Sequence, residues 1–137
     1  MTPTRPYEIY IDGASRGNPG PASVGVVVRD GGAGVVRQFS TSIGETTNNV
    51  AEYLALIYGL QEALRAGLRS VTVKTDSELL ARQINGQYKV RDADLRRLHG
   101  VAKHLIDGFA TCHVVHIPRE QNRLADRLAA QAIRTAP

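Results

Sequence analysis

Four acids in this chain stand where a carboxylate can do chemistry rather than only meet water: Asp12, Glu52, Asp76 and Asp126. Asp12 closes an alternating run in which Tyr7, Ile9 and Ile11 oppose Glu8 and Tyr10, the period-2 pattern of a half-buried strand. Gly13, Gly17, Pro19 and Gly20 then break regular structure. A rigid strand end thus holds a carboxylate beside a loop whose glycines admit a ligand close to the backbone, although an ordinary turn in which the Asp bonds its own backbone has the same lettering. Glu52 is the only charge between Val50 and Leu60. It reads either as a ligand or as an acid favoured by a helix N-terminus. Asp76 ends another strand, where it can equally cap the helix behind it. Asp126 lies at the edge of an inner helical stripe, one turn from the helix start; alone it would be a surface acid.

The chemistry open to such a set is that of a hard cation. Oxygen donors suit Mg²⁺, which takes a few carboxylates and completes its shell with water and substrate phosphate. The clustered Cys and His of a zinc site are missing. Two such cations, roughly 3.5–4 Å apart, would activate a water and stabilise the leaving oxygen in phosphodiester cleavage. No nucleophile elbow or Cys–His pairing points to a serine or cysteine hydrolase.

The elements that must deliver these acids can be read in order. Tyr7 to Asp12, Val24 to Arg29 and Val35 to Ile43 are strands joined by short glycine-rich connections, hence an antiparallel meander. Thr46-Thr47-Asn48-Asn49 starts a helix from about Val50 to Ala66, with Leu54, Ile57, Tyr58, Leu60 and Leu64 inward and Gly67 as its stop. Val71 to Thr75 is the fourth strand, and a helix follows Ser77 as far as Asn85-Gly86. A strand reached through a helical crossover runs parallel to a sheet neighbour. If that neighbour is the first strand, Asp12 and Asp76 emerge side by side, where open α/β sheets bind ligands and where two acids repel unless a cation separates them. Asp94 to Ile106 is a third helix with Leu95, Leu98, Val101, Ala102 and Leu105 inward; Lys89, Arg91, Arg96, Arg97 and Lys103 line its outer face and the preceding loop. That cluster is either a solvated face or a phosphate-facing one. Cys112 to Ile117 is the fifth strand, and a last helix contains Arg123 to Arg134, with Leu124, Leu128, Ala129, Ala132 and Ile133 inward.

Composition sets the outer limits. The 137 residues suffice for one domain with its own core. A net charge of +4 and a pI near 9.6 are compatible with a polyanionic partner without establishing one. A single cysteine, Cys112, excludes an internal disulfide framework and fits a reducing cytosol. No apolar stretch is long enough to span a bilayer, and Met1–Pro6 lacks a signal-peptide core.

Taken in order, DGASRGNPG, TTNNVAEY, TDS and HIPREQNRLADRLA resemble the motifs of ribonuclease H of type 1, over about residues 7–134. The resemblance implies a mixed five-stranded sheet of order 3-2-1-4-5 flanked by helices. It also implies cleavage of the RNA strand in RNA–DNA hybrids, dependent on Mg²⁺ or Mn²⁺ (two ions with substrate bound), leaving 3′-hydroxyl and 5′-phosphate ends. The family's metal-binding carboxylates fall on Asp12, Glu52, Asp76 and Asp126. Ser15, Gly17, Asn18, Asn48 and Asn49 match contacts to the hybrid's minor groove and RNA 2′-hydroxyls, the group that separates RNA from DNA. Thr47 matches a contact to a DNA phosphate.

Two features depart from many members. No Trp-bearing basic insertion stands between the second and third helices, where only Asn85 to Ala93 spans the gap. The likeness is thus to a compact subgroup, with weaker, more salt-sensitive binding in which Arg91, Arg96 and Arg97 partly substitute. The mobile His that assists product release in many members has two candidates here, His116 and Arg119. Arg119 is favoured, because HxPR replaces the longer loop in the compact subgroup. The expectation is a cytoplasmic, monomeric nuclease, with double-stranded RNA left open as a substrate. A catalytically silent module of the same fold that binds hybrid or duplex RNA, and the nuclease domain of a retroelement polymerase or another larger protein, are the competing readings.

Overall fold

The computed structural model describes residues 6–32 and 34–135, so most of the Met1–Pro6 stretch lies outside it. Its elements are β1 (Tyr7–Ser15), β2 (Gly20–Arg29), β3 (Val35–Thr46), α1 (Asn48–Arg65), β4 (Ser70–Thr75), α2 (Glu78–Ile84), α3 (Ala93–Ile106), β5 (Thr111–His116) and α4 (Arg123–Thr135). A 3-10 turn, Arg119–Gln121, joins β5 to α4. The strands form one sheet in the order β3-β2-β1-β4-β5, the order the resemblance implies. β1 to β3 pair antiparallel, whereas β4 and β5 run parallel to β1.

The helix ends follow from local chemistry. Thr47 Oγ1 accepts from the Val50 amide at 3.3 Å, Ser77 Oγ from Leu80 at 3.2 Å and Asp92 Oδ1 from Leu95 at 3.0 Å, each satisfying an orphan donor of a first turn. Asp76 is therefore not the cap of α2; Ser77 is, which leaves the Asp76 carboxylate free for other partners. Gly67 and Gly86, both at φ +77°, close α1 and α2 in the left-handed region that favours glycine.

α1 and α4 pack on opposite sides of the sheet. Ile9 and Ile11 point toward α1, where Gly59 brings the helix so close that an added Cβ would stand 2.9 Å from Ile11 Cγ2. Gly25, paired with Asp12 across β1 and β2, faces the backbone of α4 at Ala125 instead. The core under α1 contains Ile9, Ile11, Val24, Val26, Leu56, Leu60, Val71 and Val73, all fully buried, each side chain contributing roughly 1.5–3 kcal/mol by leaving water.

Three expectations need correction. β1 does not end at Asp12 but runs to Ser15, because β2 begins at Gly20 and keeps pairing with it as far as Ser15 and Ala22. β3 likewise extends to Thr46, so the helix start falls at Thr47. Val101 is 47% exposed rather than inward; Leu95 and Ala102 form the buried seam of α3, and Leu98 and Leu105 flank it.

Candidate active site

The site forms where the two central strands part company. β1 pairs with β4 from Tyr7 to Ile11, whose partner is Thr75. Beyond that register β4 turns into α2 while β1 continues, opening a notch in the sheet beside Asp12 and Asp76. Glu52 enters the notch from α1. It can do so because its neighbour across the gap is Gly13, where any Cβ would overlap the Ala51 carbonyl. The Gly13 amide donates to Glu52 Oε1 at 2.6 Å, which fixes the carboxylate against β1. Asp126 comes from the first turn of α4.

These acids line one pocket of about 320 Å³ together with Gly13, Ala14, Ser15, Asn48 and Arg119. Carboxylate oxygens of Asp12, Glu52 and Asp76 all lie within 4.8 Å of one another. Asp12 is 5% exposed and Glu52 6%, whereas the Asp126 side chain is 41% exposed and stands outside that tight group. Burial, followed by the charges of Glu52, Asp76 and Asp126, pushes Asp12 up to about 9. Burial also raises Glu52, to about 8, against the opposing pull of the Gly13 amide. Three carboxylates this close cannot all hold charge unless positive charge joins them. The donors are all oxygen, so the group fits a hard divalent cation rather than zinc or a soft metal.

Asn122, which the sequence did not single out, ties the site together. Buried at 1% exposure, it donates through Nδ2 to the Ile11 carbonyl at 2.8 Å and to Asp76 Oδ2 at 3.3 Å. Its backbone carbonyl accepts from the Asp126 amide at 3.1 Å. One residue thereby links β1, the end of β4 and the helix of Asp126. An Asn just before a helix reads as a cap, and only its burial reveals the other use.

The remaining candidates divide. Ser15 and Asn48 stand in the pocket. Asn18 supports Asn48, its Oδ1 accepting from the Asn48 amide at 2.9 Å, and Gly17 turns the loop at φ +103°. Thr47 caps α1 and Asn49 is exposed in its first turn. Arg119 Nη2 lies 3.7 Å from Asp126 Oδ1, but His116 is exposed at the end of β5 and does not line the pocket. Arg91, Arg96 and Arg97 do not line it: Arg97 is paired with Asp94 at 3.1 Å, and Arg96 faces a separate groove between α2 and α3.

A family model described as reverse transcriptase-like matches residues 10–132. The ribonuclease HI of Halobacterium salinarum is 44% identical over 124 residues, which is 90% of this chain and 62% of that relative. The chain spans 35% of its mycobacterial relatives. A crystal structure of RNase H1 from H. salinarum superposes with a TM-score of 0.94 at 42% identity, covering 96% of this chain and 100% of that one. LC11-RNase H1, solved in complex with an RNA/DNA hybrid, gives 0.90 at 43% identity, covering 95% and 98%. With a family match over most of its length, the same sheet order and a carboxylate notch between β1 and β4, the chain belongs to the ribonuclease H family.

Proposed function

We propose that this chain is an endoribonuclease that hydrolyses the RNA strand of RNA–DNA hybrids, leaving 3′-hydroxyl and 5′-phosphate ends. The observation that carries the reading is the convergence of the Asp12, Glu52 and Asp76 oxygens within 4.8 Å. The relative solved with an RNA/DNA hybrid supports the substrate class. Asp12, Glu52, Asp76 and Asp126 would hold two Mg²⁺ or Mn²⁺ ions when the hybrid is present. When bound, such ions supply a nucleophilic water and neutralise charge on the leaving oxygen. Asp12 and Glu52 are the two buried donors, and Glu52 is held to the strand of Asp12 through the Gly13 amide. Asp126, more exposed, is the adjustable member.

Ser15, Gly17, Asn18, Asn48 and Asn49 form the proposed contact to RNA 2′-hydroxyls in the minor groove, and Thr47 the contact to a DNA phosphate. Ser15 and Asn48 in the pocket support this directly, with Asn18 holding the Asn48 amide. We assign the turnover-assisting role to Arg119 rather than His116, because Arg119 stands over Asp126. We read the whole chain as a single ribonuclease H domain of the compact subgroup, acting as a monomer in the cytoplasm. Among the described residues no helix is long and apolar enough to cross a membrane.

The deciding experiment is cleavage of a labelled hybrid beside RNA–RNA and DNA–DNA duplexes, with and without Mg²⁺, by wild type and Asp76→Asn. Mg²⁺-dependent cutting of the hybrid's RNA strand by wild type alone is expected, and the RNA–RNA lane shows whether duplex RNA is also a substrate. Equal cutting by both proteins would end the two-ion reading, and no cutting by either would favour a binding module.

A further inference from the structure

A groove of about 660 Å³ lies away from the acids, between α2, the residue 85–92 loop and α3. Lys89, Arg96 and Lys103 face it with His99, and no carboxylate lines it. Arg37, Arg65, Lys74, Arg82, Arg97 and Arg119 each pair with an acid, while among the described residues Arg16, Arg69 and Arg91 do not, so what sets the groove apart is that several cations gather in one concavity with no acid beside them. Among the described residues none pairs with Lys89, Arg96 or Lys103. Lys103 Nζ does donate to the Ile84 carbonyl at 3.4 Å, complementing the C-terminal end of α2, but that leaves its charge uncompensated.

Beneath this rim sits Gln83, 6% exposed. Its Oε1 accepts from the Tyr53 hydroxyl at 2.6 Å, and its Nε2 donates to the Lys89 carbonyl at 3.3 Å. Its own carbonyl meets His99 Nε2 at 3.3 Å, while the His99 ring stands edge-on to Tyr53. A single amide therefore joins α1, one residue beyond Glu52, to α2 and to the backbone of the loop that carries Lys89, with its main chain reaching α3. Nothing in the carboxylate site uses these bonds, and a buried side chain serving both as donor and as acceptor is hard to replace by packing alone.

We infer that Gln83 is a positioning residue for a phosphate-binding groove between α2 and α3, holding Lys89 in register with Arg96 and Lys103 to receive the backbone of a nucleic-acid strand beyond the carboxylate site. This rests on the hybrid-binding reading above. The amide fixes the loop's backbone at Lys89, so the cationic side chain starts from a set point instead of sampling solvent, and its phosphate contact loses less entropy.

The test is Gln83→Leu, close in volume but unable to make either bond. Ala81→Gly, buried in the same helix, serves as a control of comparable thermal destabilisation. Hybrid affinity is read by fluorescence anisotropy in Ca²⁺ across a salt series, KM and kcat in Mg²⁺, and amide exchange over residues 87–92. Gln83→Leu is expected to raise KM about three- to tenfold at unchanged kcat. It should also flatten the salt slope of log K by about one contact and speed exchange in the loop, whereas Ala81→Gly keeps the wild-type KM and slope. Wild-type KM, slope and loop exchange in Gln83→Leu would overturn the assignment and leave Gln83 a core residue. If wild type binds no hybrid at all, the hybrid reading falls, and loop exchange alone then decides whether Gln83 holds the loop.

Discussion

The acid pocket and the basic groove are opposites in charge and in construction. In the pocket, like charges are forced together by rigid backbone: β1, the end of β4, the second turn of α1 and the first turn of α4 each deliver one acid, and Gly13 and Asn122 hold the joints. In the groove, like charges sit on long flexible stems around a loop, which the Arg82 carbonyl holds at Gln87 and Tyr88 and one buried amide holds at Lys89. Both gather charges mainly of one sign into a concavity. The pocket fits a compact ion that must be placed closely; the groove suits a polyanion that tolerates slack. Substitutions should therefore have steep effects in the first region and graded effects in the second.

The steepest belong to the buried acids. Asp12→Asn and Glu52→Gln each keep shape but remove an anionic oxygen, and either should lower kcat by about a thousandfold, the order lost when a group acting directly on transition-state charge is removed. Asp126→Asn, at a half-exposed position outside the tight group, should lose less, about 10–100-fold. Steady-state cleavage of a labelled hybrid measures all three. An Asp126→Asn defect as deep as that of Asp12→Asn would erase the ranking drawn from burial.

The same crowding has a signature without substrate. In the unfolded chain Asp12 ionises near 3.8, but in the native protein it keeps its proton up to about 9; for Glu52 the interval runs from 4.5 to about 8. Across those windows the native state binds more protons than the unfolded one, so stability falls as pH rises. Thermal melts of metal-free protein should show Tm declining from about pH 5 to pH 8, with Asp12→Asn flattening the decline and added Mg²⁺ reducing it. A rise in Tm over that interval would contradict the crowding.

How far all this was legible depends on range. Alternation gave β1 and the VTVKT strand, and caps gave the helix starts within a residue or two, because those signals are local. The meeting of Asp12 and Asp76 followed once the crossover made β4 a parallel neighbour of β1, whereas Glu52 and Asp126 joined them only through the resemblance of their motifs. Asn122 stayed hidden because its partner Ile11 is 111 positions away, and nothing near it in the chain betrays burial. The extension of β1 past Asp12 was missed because Gly13 looks like a strand breaker. In the fold it is a contact surface for α1, held in extended pairing by β2. Val101 was misplaced because α3 meets its neighbours along a narrower stripe than its apolar letters suggest.

A smaller effect separates Arg119 from His116. Arg119 is 80% exposed and reaches Asp126 at 3.7 Å, a geometry worth little for stability but placed to meet a departing phosphate. Arg119→Ala should reduce multiple turnover about tenfold, the lower end for loss of one positioned group, and leave single-turnover cleavage nearly intact. His116→Ala should change neither. Retained multiple turnover in Arg119→Ala, with a loss in His116→Ala, would reverse the assignment.

The finest distinction lies within the basic cluster and separates neighbours in sequence. Arg96 faces the groove with no carboxylate partner, whereas Arg97, one residue on and so about 100° around the helix, is matched by Asp94 at 3.1 Å. An unmatched cation that meets a phosphate releases a counterion on binding; a matched, solvent-facing one contributes mainly to the general field. Arg96→Ala should thus weaken hybrid binding about two- to fivefold at moderate salt and reduce the slope of log K against log salt by about one unit. Arg97→Ala should shift affinity by less than about twofold with the slope unchanged. Equal slopes for the two variants would mean that the groove does not select among the cations. The contrast between a rigid acidic site and a tunable basic one would then reduce to net charge alone.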